Sequence, residues 1–138
     1  MDTTRDFSDD VFLEAFLTCR LPPSAFSHRN HLRVAWIHLQ RFPLDEAIER
    51  TCAGIARYAT HLGVPDRYHR TMTEALIRLM ARAGASDPSL LFEDFLARAP
   101  AFSGDCRTLL SAHYSPDLLA RADARYRFLS PDRLPLSP

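Results

Sequence analysis

Apolar residues recur three and four positions apart from one end of this chain to the other, and no stretch alternates apolar with polar residues as a half-buried strand does. That periodicity predicts an all-α fold. Ser8 suits the cap of a first helix, with Asp9 and Asp10 at the positive end of its dipole and Val11, Phe12, Ala15, Phe16 and Cys19 inward. Leu21-Pro22-Pro23 ends it. A second helix is expected from about Ser27 to Arg41, burying Leu32, Ala35, Trp36 and Leu39 and exposing Arg29, Arg33, Gln40 and Arg41. Pro43 fits the first turn of a third, which Gly63 and Pro65 stop.

Thr71-x-x-Glu74 reads as a capping box for a fourth helix, closed by Gly84. Asp87-Pro88 reads as the start of a fifth, and a short helix is expected from Cys106 to His113. Ser115-Pro116-Asp117 opens a last helix that fades near Phe128, and the proline-rich tail from Ser130 should lie extended on the surface. The expected architecture is a single-domain bundle, residues 1–138, of six to seven helices with an extended C-terminal tail.

At 138 residues the chain is long enough to bury a core without a disulfide or structural metal. The 17 basic residues, all Arg, balance 17 acidic ones, so the cationic excess of a nucleic-acid binder is missing. Cys19, Cys52 and Cys106 are odd in number and widely spaced, which suggests no disulfide framework and no cysteine zinc knuckle. No apolar run is long enough to span a bilayer, and the first residues lack the pattern of a signal peptide. The expected location is the cytoplasm.

Histidine carries the chemistry. At about 100° per residue, His28, His31 and His38 fall in a narrow arc at the edge of the second helix's buried face. His28 and His31, three apart, can approach one ligand from one turn. His69 precedes the fourth helix, where the dipole disfavours imidazolium and keeps the ring neutral. His28, His31 and His69 can thus supply three nitrogen ligands to zinc or iron, with Glu14 or Glu74 adding a carboxylate. Without a metal, one histidine serves as general base while Tyr68 and Thr73 position substrate.

Blander roles compete. His-x-x-His is a weaker signal than His-Glu-x-x-His. His38 and His61 suit helix C-termini as cations, Glu74 suits a cap better than a ligand, and Arg125 with Asp132 suits a bridge fixing the tail. His113, before a helix start, fits either a structural or a functional role.

The motifs Phe26-x-His28-x-x-His31-Leu32-Arg33-x-Ala35-Trp36 and Tyr68-His69-x-Thr71-x-Thr73, with Tyr114-Ser115, Ala124-Arg125 and Pro131-Asp132-x-Leu134-Pro135, resemble a family of small bacterial proteins of unknown function. The pattern departs at Asn30, where Asp is frequent, and at Arg121, where Ser is frequent. The resemblance supplies no mechanism, but it singles out His28, His31, Tyr68, His69, Thr71 and Thr73. The leading expectation is a metal-dependent enzyme acting on a small polar molecule. The competitors are a non-catalytic binder of a small ligand or metal, and a structural module with core-edge histidines.

Overall fold

The structure, a computed structural model, describes residues 3–137. Among them are seven α-helices, five short 3-10 turns and no strand. None of the helices is long and apolar enough to cross a membrane. Met1 and Asp2, at the start of the segment read for a leader, lie outside the described residues. The chain divides into two compact units, the first ending at Arg67 and the second beginning at Tyr68.

The first unit holds α1 (Asp9–Leu17), α2 (His28–Arg41) and α3 (Leu44–His61). Ser8 caps α1, accepting from the Val11 N–H, and Ser27 caps α2, accepting from the Asn30 N–H. Both follow from a side-chain oxygen placed to satisfy an orphan helix donor. Val11 is 53% exposed, so it does not join the inward stripe with Phe12 and Phe16.

The expected solvated back of α2 is wrong for Arg33. Its guanidinium lies over the Phe12 ring and donates to the carbonyls of Thr4 and Phe7 and to Asp9. Asn30, also buried, donates to the Ala25 carbonyl and the Thr4 hydroxyl. With Val34 and Ile37 buried as well, α2 is enclosed on nearly all sides. Asn30 and Arg33 succeed there because each finds backbone partners.

α2 packs chiefly against α3. His38 is not the helix-end cation that its position suggests. It is buried, its Nδ1 2.8 Å from the Thr51 hydroxyl, and burial and two nearby arginines lower its pKa to about 4. α1 reaches α3 through Gly54, where an added Cβ would stand 2.9 Å from the Phe16 ring. Phe16 in turn packs on Tyr58, ring centroids 5.3 Å apart.

The second unit holds α4 (Arg70–Arg82), α5 (Phe92–Arg98), α6 (Cys106–Leu110) and α7 (Pro116–Leu119). Three sequence expectations need correction. α4 starts one residue before Thr71, and its cap is His69. Glu74 does not reach back to a backbone N–H in a capping box; it is buried between Arg70 and Arg78, each four residues away, at 2.7 and 2.8 Å. α5 starts at Phe92, where Asp94 accepts from the Leu91 N–H, while Asp87 is spent in a turn with Ser89. The last helix stops at Leu119 and a 3-10 turn, Ala122–Arg125, follows.

Three helices end in the same way. After α3 and α4 the residues at the positive-φ position are Gly63 (φ 76°) and Gly84 (φ 100°). After α1 it is Cys19 (φ 58°), whose N–H bonds to the Phe16 carbonyl while that of Arg20 reaches Ala15. All three have the paired hydrogen bonds of a Schellman motif.

Candidate functional site

Each sequence-predicted residue belongs to one unit. In the first, His28 opens α2 and His31 follows on the same face one turn later. The His31 ring meets Phe26 edge-on, centroids 4.5 Å apart, and Phe26 lies 5.3 Å from Tyr58. Tyr58 is fixed by its hydroxyl, which lies 2.8 and 2.9 Å from the carbonyls of Leu21 and Pro22. His31 is thus held by an aromatic row that runs back into the core.

The His31 residue as a whole is half-buried, but its Nε2 is shut away from solvent and has no hydrogen-bond partner among the described residues. Burial, and then the neighbouring His28, lower its pKa to about 4. At neutral pH the ring is therefore uncharged, with one nitrogen unsatisfied. Such an atom carries a desolvation cost of ~1–3 kcal/mol, which native interiors seldom leave uncompensated. Glu14 is exposed on α1.

In the second unit the motif residues form a connected set of hydrogen bonds. His69 Nδ1 accepts from the Met72 N–H, which caps α4, so Nε2 carries the proton and donates 2.9 Å to the Leu119 carbonyl. Both ring nitrogens are engaged. The pKa of His69 is lowered, first by burial. The Thr71 hydroxyl sits within 2.8 Å of the carbonyls of Ala124 and Arg127 and accepts from the Leu129 N–H. Tyr114, fully buried, donates to the Leu129 carbonyl.

The expected Arg125–Asp132 bridge is replaced by two separate ties. Arg125 donates to the Tyr68 carbonyl, and Asp132 accepts from both the N–H and the hydroxyl of Ser115 at 2.8 and 2.6 Å. These Ser115 bonds, the side-chain one first, hold the Asp132 carboxyl below its usual range. Thr73 is half-buried and has no role in this set.

Among the described residues no group of three or more His, Cys, Asp or Glu side chains is arranged to hold a metal ion. Beyond the expected residues, a cleft of about 190 Å³ in the second unit is lined by Arg82, His113, Leu134, Pro135 and Ser137. Sequence reasoning passed over Arg82, whose only signal was its place in the last turn of a helix. Compared with family models, curated proteins and solved structures, the chain matches none of them.

Proposed function

We propose that this chain is a small helical enzyme that moves a proton on a small polar molecule, with Nε2 of His31 as the base that takes it and His28 beside it. One observation supports this above the others: a neutral imidazole whose buried nitrogen has no protein partner among the described residues. A nitrogen in that condition is prepared for a ligand's X–H or lone pair, because the desolvation cost is already met by the fold and binding recovers it.

A shared zinc or iron is attractive when three neutral imidazoles would be costly to bury without a common partner. His69 has two protein partners of its own, so that reason does not apply to it. In this proposal His69 and Thr71 are scaffold, and no metal is required.

Nitrogen-detected NMR of histidine-labelled protein tests the proposal. A panel of small amines, alcohols and carboxylic acids should contain a compound that shifts Nε2 of His31 and raises Tm, with both effects lost in His31→Phe. That variant should still fold, since it removes an orphan polar atom while keeping the ring's packing. A free protein in which Nε2 of His31 is already hydrogen-bonded to a backbone carbonyl would end the idea.

A further inference from the structure

The cleft in the second unit lies beside the last residue of α4 and the C-terminal tail. Two of its lining side chains hold the tail, and both have bonding capacity left over. His113 Nδ1 donates to the Leu134 carbonyl at 2.9 Å, so Nε2 of that tautomer is left as an acceptor. Arg82 makes one long bond, 3.4 Å from Nη1 to the Leu136 carbonyl, and no carboxylate among the described residues faces it. A guanidinium has five N–H donors in a planar fork, so most of the recognition surface of Arg82 is unused. Arg82 is an exposed residue, so these donors meet water and are open to a ligand that replaces it.

The other walls are Leu134 and Pro135, with the Ser137 hydroxyl at the edge. One permanent positive charge, the face of an imidazole ring and two apolar side chains suit a particular ligand. It carries a single negative charge on a planar two-oxygen group and has a short apolar body. A cavity of ~150 Å³ admits benzene, so about 190 Å³ accepts an aromatic or branched aliphatic acid of that size. A phosphate dianion would ask for more cationic donors than a single Arg provides.

We infer that the second unit carries a binding site for a small apolar monocarboxylate, with Arg82 gripping the carboxylate and the His113 ring forming a wall beside the apolar body, independent of the chemistry proposed for His31. Titration of the full chain with benzoate, benzyl alcohol and inorganic phosphate, followed by NMR and calorimetry, tests it. Benzoate should shift the signals of Arg82 and His113 and bind at least about tenfold more tightly than the uncharged alcohol of the same shape. Arg82→Gln should lose that advantage, and Arg82→Lys should keep part of it, with charge but no fork.

Equal binding of acid and alcohol, tighter binding of phosphate than benzoate, or an unchanged benzoate affinity in Arg82→Gln would each overturn the assignment. Should Arg82→Gln fail to fold, the comparison of acid with alcohol on the unaltered chain decides it.

Discussion

His38 of α2 and Thr51 of α3 share a buried hydrogen bond of 2.8 Å, a polar link within a largely apolar helix pair. Thr51 can donate to a neutral Nδ1 or accept from it, but the imidazolium form has to be made in a place where burial, Arg50 and Arg41 all oppose it.

This makes the first unit acid-sensitive. The His38 pKa is about 4 in the fold, against 6.5 for an unperturbed imidazole, the value that applies to the unfolded chain. Between these values the unfolded chain binds the extra proton, so stability is fully present above pH 6.5 and is lost as pH falls towards 4. At 1.36 kcal/mol per pH unit the full loss is on the order of 3 kcal/mol. Urea unfolding between about pH 7 and 4.5 should show it on top of a like share from His31, whose pKa is also lowered to about 4, and His38→Gln should reduce the slope by the His38 share. An unchanged slope in that variant would refute the assignment to His38.

Gly54→Ala should destabilise the protein. The new methyl would stand 2.9 Å from Phe16, whose ring is backed by Tyr58. Overpacking of this kind costs ~1–3 kcal/mol, which outweighs the ~1 kcal/mol that alanine gains over glycine within a helix. A raised Tm would mean that Phe16 can retreat.

Cys19→Gly should stabilise by about 0.5–1 kcal/mol, since a side chain in the left-handed region is strained and glycine is not. Gly63→Ala and Gly84→Ala, at the matching positions, should do the reverse. Chemical denaturation of the three variants checks the pattern.

Thr71→Val keeps the shape but removes the hydroxyl shared by Ala124, Arg127 and Leu129, and should cost ~1–3 kcal/mol. Thr71→Ser should recover most of it. Hydrogen exchange at the Leu129 amide should accelerate in the valine variant alone.

Helix existence was legible because it is local. Ser8 and Ser27 cap where a side-chain oxygen precedes an apolar period, and Gly63 and Gly84 stop helices as glycine does. Errors arose where a partner lay far away in sequence. Arg33 reads as a surface residue until residues 4–9 fold over it. Thr71-x-x-Glu74 fits a capping box, yet arginines on either side of Glu74 and a carbonyl pair 53 and 56 residues downstream compete better for the two side chains. Histidine is seldom considered as a cap, so the role of His69 stayed hidden behind its possible chemistry. Periodicity placed His31 at a buried edge, but no pattern in the chain could say that Nε2 would lack a partner.

The side chains of Thr71, Tyr114 and His69 all grip main-chain atoms of residues 119–129, not their side chains. A stretch anchored by its carbonyls and amides has few demands on its exposed residue types, whereas Leu119 and Ala124 are buried. Homologous chains can therefore drift freely at exposed positions such as 121, 126 and 127 while the three gripping residues stay put, so substitutions there should accumulate without loss of the fold.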